Sequence, residues 1–195
     1  MGMLDRNFYL QDDVVSVAQQ LLGKVIVSRI DDVITAGVIT ETEAYAGAID
    51  KASHAYGGRR TARNEPMYGS GGYAYVYLCY GIHHLFNVVT NKAGIPHAVL
   101  IRGIHPLEGK GLIAERRAPA KPTTAGPGTL TQALAITTAH TGMDLCGDVI
   151  WIEDRGIKVP RRAIVIGPRV GIDYAEEDAL LPYRFIVPPS RLHIP

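Results

Sequence analysis

The sequence has 195 residues, of which 47% are hydrophobic and 20% are charged, and its formal net charge is +1. This length and composition are typical of a globular protein with one buried core, so we expect residues 1–195 to form a single domain. A net charge near zero lacks the strongly basic character usual for nucleic-acid binders, although a local cluster of basic residues is compatible with it.

The sequence offers few signs of a membrane or targeting segment or of cysteine chemistry. No stretch approaches the ~18 apolar residues of a membrane span, and no basic start followed by an apolar run opens the chain. We therefore expect no membrane association and a cytoplasmic location, at the nucleoid if the source is bacterial. The two cysteines, Cys79 and Cys146, lie far apart, so neither a disulfide framework nor a thiolate metal site is expected.

The first elements are a helix and a hairpin. Apolar residues spaced i, i+3, i+4, i+7 and i+8 over 14–22 predict one helical face, with Asp13 before it as a cap and Gly23 as a stop. Strands are predicted over 24–30 and 33–40, and the second strand continues into Glu41–Tyr45.

The remaining chain alternates loops and short elements. A glycine-rich stretch over 46–72 has little periodicity and is interpreted as a long loop. Pro106 is expected to open a helix that runs to about Glu115, and residues 118–128 form a flexible loop. Further strands are expected over 73–80, 85–90, 98–104, 149–153 and 163–166, with a helix over 130–136. These elements predict an α+β domain with a curved, mostly antiparallel β-sheet flanked by helices.

Two glutamates at a strand end are candidates for chemistry. Glu41 and Glu43 share one face if the alternation holds, so that one can catalyse while the other anchors the structure. Arg102 ends another predicted strand, and as a neighbour it can keep Glu43 ionised and orient it with a water. An ionised glutamate beside an ordered water is a general base, whereas a simple surface ion pair is the alternative.

A row of tyrosines follows the glycine-rich stretch. Tyr73, Tyr75 and Tyr77 fall on one strand face, and Tyr80 lies near the strand end before Gly81. Such a face can stack on a nucleobase, or it can be an ordinary aromatic core. The preference for tyrosine over phenylalanine argues against a fully dry core, because each hydroxyl needs a partner.

Basic residues cluster at three places, each of which is either a solvated surface or a contact to an anionic partner. The clusters are Arg59, Arg60 and Arg63; Arg116, Arg117 and Lys121; and Arg161 and Arg162. No metal site is expected, because His83 and His84 are adjacent and face opposite ways on a strand.

Several motifs together resemble the alkyladenine (3-methyladenine) DNA glycosylases of mammals and many bacteria. They occur in the family's order from about residue 5 to about residue 188, which covers nearly the whole chain. The motifs are Glu41-Thr42-Glu43-Ala44-Tyr45, His54 with Gly57-Gly58-Arg59-x-Thr61-x-Arg63-Asn64, Tyr75-Val76-Tyr77-x-x-Tyr80-Gly81 with Asn87, Val99-Leu100-Ile101-Arg102, Gly126-Pro127-Gly128-x-Leu130-x-Gln132-Ala133-Leu134, and Arg169-Val170-Gly171.

The resemblance implies catalytic roles at matched positions. Glu43 is implied as the general base that activates the water attacking the sugar C1′, and Arg102 as its partner in positioning that water. Tyr45 and His54 are implied to form pocket walls that stack on a flipped base, and the backbone near Val170 is implied to close the site.

The same resemblance implies roles in binding DNA. Tyr77 is implied as a further pocket wall, and Asn87 as a gate that disfavours the exocyclic amine of normal guanine. Tyr80 is implied as a wedge that fills the gap in the duplex, while Arg59 and Arg63 are implied to contact the DNA backbone.

The function implied by the resemblance is base-excision repair. A monomeric glycosylase would flip damaged purines, such as 3-methyladenine, 7-methylguanine, hypoxanthine and ethenoadenine, out of double-stranded DNA and hydrolyse the N-glycosidic bond without a cofactor. No lysine occurs in the matched catalytic motifs, so we expect water rather than an amine to be the nucleophile, with no lyase step.

Two other functions stay open. The implied fold is also like a small C-terminal domain of formyltransferases, so the chain could be a non-catalytic DNA- or RNA-binding module. A nucleoside hydrolase acting on free nucleosides is the third interpretation. A binder would need neither Glu43 nor Arg102, and a nucleoside hydrolase would have no use for Tyr80 as a wedge.

Overall fold

The protein is described by a computed structural model over residues 2–119 and 123–194. Within those residues a nine-stranded sheet forms the centre. Its strands in chain order are β1 (Gly2–Met3), β2 (Val25–Ile30), β3 (Val33–Tyr45), β4 (Ala74–Cys79), β5 (His83–Thr90), β6 (His97–Glu108), β7 (Ile150–Asp154), β8 (Val165–Gly167) and β9 (Arg184–Ile186). The α-helices are α1 (Arg6–Tyr9), α2 (Val14–Leu21), α3 (Lys110–Arg117) and α4 (Pro127–Ala133).

The sheet is built around the long strand β3. The strand order is β1-β7-β2-β3-β6-β5-β4, and β9 joins β3 and β8 outside that path. Every pairing is antiparallel, which confirms the predicted α+β class and sheet type. The first half of β3 pairs with β2, whereas Glu41–Glu43 pair with β9 on the same edge. The likeness to a formyltransferase domain stays a prediction.

The main core lies on one face of this sheet, beneath α2 and α4. Val17 and Leu21 of α2 and Leu130 of α4 are fully buried there. The predicted cap of α2 is confirmed, because the Asp13 carboxylate accepts a hydrogen bond of 3.0 Å from the Val15 amide. The 3.6-residue spacing therefore placed this helix correctly.

A β-bulge in β3 turns two carboxylates away from the core. Ile39 and Ala44 both belong to the main core although their numbers differ in parity, and the register with β6 shifts on both sides of Glu41. The Thr42 hydroxyl donates a hydrogen bond of 2.8 Å to a carbonyl of α2, so residue 42 also faces the core. One extra residue thus directs Glu41 and Glu43 to the opposite face.

The predicted start of the third helix, at Pro106, is wrong, because α3 begins at Lys110. Strand β6 continues through Pro106, which pairs with Gly37 beside another register shift, where proline is tolerated in a sheet. The strand ends at Glu108, and Gly109, with a φ of +66°, breaks the extended backbone before α3. The last predicted helix also begins earlier than expected, because Pro127 occupies its first turn.

The glycine-rich stretch over 46–72 contains three short 3₁₀ helices, so it is more ordered than the predicted loop. They span Gly47–Ile49, Tyr56–Gly58 and Glu65–Tyr68. Asn64 fixes this stretch through its side-chain amide, which donates to the His54 and Arg59 carbonyls at 2.8 and 2.9 Å. Hydrogen bonds between side chains and the backbone therefore order this stretch, although it lacks periodic apolar residues.

The second basic cluster is structural. Arg116 donates to the Ala133 carbonyl at 3.0 Å, and Arg117 contacts the side chain of Gln132, so both arginines tie α3 to α4. Arg117 is buried. Lys121, predicted with them, lies outside the described residues, as does part of the predicted loop over 118–128.

Candidate active site

Cross-strand pairing brings three candidate residues, Glu43, Asn87 and Tyr75, into one row with Leu100. Glu43 on β3 pairs with Leu100 on β6, Leu100 pairs with Asn87 on β5, and Asn87 pairs with Tyr75 on β4. Directly opposed residues point to the same face of a sheet. The row therefore lies on the face opposite the main core, beneath the stretch over 46–72.

Glu43 is fully buried, and both of its carboxylate oxygens are held by hydrogen bonds. Oε1 accepts from the Val170 amide at 2.8 Å, and Oε2 accepts from the Tyr45 hydroxyl at 2.8 Å. Arg102 Nε lies 3.3 Å from Oε1. The carboxylate is thus fixed in orientation by an amide, a hydroxyl and a guanidinium.

Burial raises the pKa of Glu43 above its ordinary value. Arg102, the Val170 amide and the Tyr45 hydroxyl act in the opposite direction and lower the pKa, but burial is the largest effect. A carboxylate whose pKa is raised toward neutrality is a better proton acceptor than an exposed one. Arg102 therefore favours the ionised form of Glu43, as expected, but its effect on the pKa is smaller than the opposing effect of burial.

Arg102 is itself held by a second carboxylate. Its Nε donates to Glu41 Oε1 at 2.9 Å, and Arg184 on β9 donates to the same oxygen at 2.7 Å. Glu41 does not contact the buried Glu43 directly but shares Arg102 with it. The division into one catalytic and one structural glutamate stays a prediction, and Arg184 is a member of this network that the sequence analysis missed.

A cavity of about 640 Å³ lies beside this carboxylate, within the range usual for small-ligand sites. Tyr45, Arg102 and Val170, which hold Glu43, line the cavity, and Glu43 itself is buried directly behind them. Aromatic rings form the wall of the cavity. The His54 ring lies 4.7 Å from the Tyr77 ring, and His54 Nδ1 lies 2.8 Å from the Tyr75 hydroxyl. Tyr45 also lines the cavity, next to Glu43. Aromatic rings packed edge to face in this way form a surface that suits a flat, largely apolar ligand.

The surroundings of the wall histidine disfavour its charged form. Burial lowers the pKa of His54, and the nearby charges of Arg63 and Arg59 lower it further. Burial also raises the pKa of Tyr75 to about 12, so its hydroxyl keeps its proton and can donate. The wall therefore presents neutral rings with hydrogen-bonding edges to the cavity.

Asn87 and Tyr73 occupy different environments. The Asn87 side chain is buried in the cavity wall, where its amide donates to the Tyr75 carbonyl at 3.0 Å. Tyr73, which the sequence analysis grouped with Tyr75 and Tyr77, does not line the cavity. The Arg6 guanidinium lies over its ring at 4.7 Å, because Tyr73 precedes β4 and bridges to Asp144.

Tyr80 stands at the mouth of the cavity in a strained turn. Its side chain is 91% exposed, and its φ is +50°, followed by Gly81 with a φ of +73°. Ile82, the next residue in this β4–β5 turn, is 71% exposed. Bulky residues rarely adopt a positive φ, and exposed apolar side chains at a turn tip are typical of a contact surface.

The first basic cluster borders the same mouth. The Arg63 guanidinium lies 5.2 Å from the Tyr77 ring and donates to the Leu78 carbonyl at 3.1 Å. Arg59 is exposed, whereas Arg60 is paired with Glu65. Arg63 is thus part of the cavity wall, and Arg59 faces solvent.

Two parts of the cavity were not predicted as such. Tyr174 lines the cavity and donates to the Ala52 carbonyl at 3.2 Å, and the start of α4 contributes residues 126–129. The Gly126-Pro127-Gly128 motif was a signal for the second part, since Gly128 leaves no room for a Cβ beside His83. No pattern in the sequence pointed to Tyr174.

Within the described residues, no cluster of three or more histidine, cysteine, aspartate or glutamate side chains could hold a metal ion. None of the helices in residues 2–119 and 123–194 has the length and apolar character needed to span a bilayer.

Comparison with known proteins agrees with these motifs. A family model described as methylpurine-DNA glycosylase (MPG) matches residues 7–191. A protein of Chlamydia felis named "Putative 3-methyladenine DNA glycosylase" is 48% identical over 189 residues, which cover 95% of this chain and 96% of that protein. Proteins of the same name from Desulfitobacterium hafniense and Bacillus cytotoxicus are 44% and 45% identical, and these matches cover 98% and 91% of this chain and 98% and 92% of those proteins. The chain therefore belongs to the methylpurine-DNA glycosylase family, enzymes of base-excision repair that hydrolyse N-glycosyl bonds in DNA.

Proposed function

We propose that this enzyme removes damaged purines from double-stranded DNA by flipping the nucleotide into the aromatic cavity and hydrolysing its N-glycosidic bond. The substrates proposed are 3-methyladenine, 7-methylguanine, hypoxanthine and ethenoadenine. The observation that carries the proposal is the buried, aligned carboxylate of Glu43, held by Tyr45, Arg102 and Val170, which form the floor of an aromatic cavity. A non-catalytic binding module would have no need to bury this charge.

Glu43 is proposed to act as general base on one water molecule. The water oxygen attacks the sugar C1′, the bond from C1′ to the base nitrogen breaks, and Glu43 accepts the proton of the water. The departing base keeps the electron pair of the broken bond. Positive charge develops on the sugar in the transition state, and the ionised Glu43 stabilises it. Arg102 orients the carboxylate throughout.

The base is proposed to stack between Tyr45, His54 and Tyr77. Stacking on one aromatic ring is worth roughly 1–3 kcal/mol per base and tolerates different bases. A methylated purine carries a positive charge and is attracted by aromatic faces. It leaves without further protonation, whereas hypoxanthine and ethenoadenine need a proton from the cavity or solvent. Asn87 is proposed to disfavour the exocyclic amine of guanine.

Tyr80 is proposed to fill the gap that the flipped nucleotide leaves. A base within a duplex is out of reach of water at C1′, and extruding it costs a few kcal/mol, less for a damaged pair. An inserted side chain replaces part of the lost stacking. Arg63 lines the same cavity as Tyr80, and both Arg59 and Arg63 are proposed to contact DNA phosphates.

Several further properties belong to this proposal. The enzyme is proposed to act as a monomer in the cytoplasm, at the nucleoid if the source is bacterial, without a cofactor. It is proposed to leave an abasic site without a lyase step, because water and not a lysine amine is the nucleophile. Trapping of a covalent protein–DNA adduct with borohydride would contradict this part.

The test is base release from duplex oligonucleotides that carry one hypoxanthine or one ethenoadenine, and from alkylated DNA. We expect the wild type to release the base and Glu43→Gln to lose at least about 10³-fold in rate while still binding the damaged duplex. Release from free nucleosides at a similar rate would instead indicate a nucleoside hydrolase. If the wild type binds DNA and releases no base from any substrate, the protein is a binding module.

A further inference from the structure

Behind the cavity wall lies a buried ion pair that takes no part in the chemistry proposed above. Arg169 Nη1 lies 2.5 Å from Asp50 Oδ2, and Nη2 lies 2.9 Å from Oδ1, while the two side chains are 0% and 1% exposed. Buried ion pairs are often no more stabilising than apolar residues of similar size. Arg169 Nε is also buried and finds no hydrogen-bond partner in the described part of the chain, which is a further cost.

Arg169 adjoins two of the three groups that hold Glu43, the Val170 amide and the Tyr45 hydroxyl. The residue after it, Val170, donates its amide to Glu43 Oε1. The guanidinium of Arg169 lies 4.8 Å from the ring of Tyr45, whose hydroxyl donates to Glu43 Oε2. Arg169 Nη1 also donates to the Ala44 carbonyl at 3.0 Å, between Glu43 and Tyr45. The position of Arg169 therefore affects the donors to both carboxylate oxygens of Glu43.

Asp50 connects this arginine to the segment that carries His54. Asp50 Oδ2 accepts from the Ala46 amide at 2.9 Å, just after β3, and Oδ1 accepts from the Ala52 amide at 3.0 Å. His54 follows two residues later. The ion pair thus joins three segments of chain: the end of β3, the segment leading to His54, and the segment of Val170.

We propose that Asp50 and Arg169 are positioning residues that set the rate of base release by holding the Val170 amide and the Tyr45 hydroxyl against Glu43. This inference depends on the proposed function of Glu43 as general base. Misplacing a catalytic group by about 1 Å can cost roughly 10²-fold in rate. We therefore expect a loosened ion pair to lower the rate of base release more than the affinity for DNA.

The test uses Asp50→Asn, which keeps the shape of the side chain and removes its charge. We expect the single-turnover rate of hypoxanthine release to fall roughly 10²-fold, with affinity for the same duplex changed by less than about threefold. We also expect the acidic limb of the pH–rate profile to move to higher pH, because hydrogen bonds that lower the pKa of Glu43 are weakened. A merely structural role would reduce the amplitude of the reaction and leave its rate constant and pH limb unchanged.

Asp144→Asn is the matched control away from the cavity. Asp144 likewise accepts from an arginine, Arg6 at 2.6 Å, and from a backbone amide, Cys146 at 2.8 Å. We expect this variant to keep the wild-type rate constant and pH limb even if it lowers stability.

Arg169→Lys keeps the positive charge and loses the two-pronged contact, so it serves if Asp50→Asn does not fold. It should show the same fall in rate constant and the same shift of the pH limb. A wild-type rate constant in the folded fraction of Asp50→Asn or Arg169→Lys would overturn the positioning role while leaving the proposed function intact. Absence of base release by the wild type would instead remove the proposed function itself.

Discussion

The floor and the mouth of the cavity are built in opposite ways. At the floor, Glu43 is fully buried and each carboxylate oxygen has a donor at 2.8 Å. At the mouth, Tyr80 and Ile82 are 91% and 71% exposed, and Tyr80 holds a positive φ. A buried, fully bonded group suits a reaction that needs fixed geometry, whereas a strained, exposed aromatic residue suits contact with a large partner.

This contrast predicts that the two regions fail differently. Changes at the floor should slow base release and leave DNA binding nearly intact. Changes at the mouth should weaken DNA binding and leave the rate at saturating enzyme nearly intact.

Arg102→Gln should have the largest effect of these variants. The change removes the guanidinium that orients Glu43 and lowers its pKa, so we expect the single-turnover rate to fall roughly 10²-fold. The acidic limb of the pH–rate profile should move to higher pH. Arg184→Gln should show a smaller loss and a smaller shift, since Arg184 donates to Glu41 and acts on Glu43 only through its charge. Equal losses in the two variants would contradict a specific role of Arg102.

Tyr80→Gly should weaken binding and stabilise the fold. Loss of one stacking ring should weaken affinity for a damaged duplex by about tenfold. Relief of the positive φ should raise the free energy of unfolding by about 1 kcal/mol. Equilibrium binding at one stated salt concentration and denaturant unfolding measure the two effects, and Tyr80→Phe should keep wild-type affinity. A loss of stability in Tyr80→Gly would show that the turn is not strained.

Stability should depend on pH through Glu43. Because burial raises the pKa of this carboxyl in the folded state, its favourable contribution is present below the unfolded pKa and is lost as the pH rises through the folded value. Glu43→Gln resembles the protonated form. Its melting temperature relative to wild type should therefore be higher at pH 8 than at pH 4. A relative loss of stability at pH 8 would mean that its partners outweigh burial.

Arg59→Gln should have the smallest effect, confined to the salt dependence of binding. If Arg59 contacts one phosphate, the slope of log affinity against log salt should fall by about 0.9, and the rate at saturating enzyme should stay unchanged. Arg60→Gln is the control, because Arg60 is already paired with Glu65. An unchanged slope in Arg59→Gln would place Arg59 away from the DNA.

The sequence predicted much of the fold where local patterns are strong. The helix α2 and the hairpin of β2 and β3 follow from apolar spacing and capping. The start of α3 was missed because Pro106 sits in a strand beside a register shift, and a shift depends on the partner strand. The short helices over 46–72 were missed because side chains such as Asn64 hold them, which periodicity does not report.

The site was predictable only in part for a similar reason. Glu43 and Arg102 follow from motifs, and their proximity follows from antiparallel pairing of β3 with β6. Asp50, Tyr174 and Arg184 come near the cavity or its carboxylates through long-range packing, which no local pattern encodes. The residue Arg169 lay inside a recognised motif, yet its ion pair with Asp50 appears only in three dimensions.

The most direct measurement compares Glu43→Gln and Tyr80→Ala in one pair of assays, single-turnover base release at saturating enzyme and equilibrium binding to the same hypoxanthine-containing duplex. We expect Glu43→Gln to lose at least about 10³-fold in rate with nearly unchanged affinity. Tyr80→Ala should lose about tenfold in affinity with a rate within a few fold of wild type. Parallel losses of rate and affinity in both variants would contradict the division of the cavity into a catalytic floor and a DNA-contacting mouth.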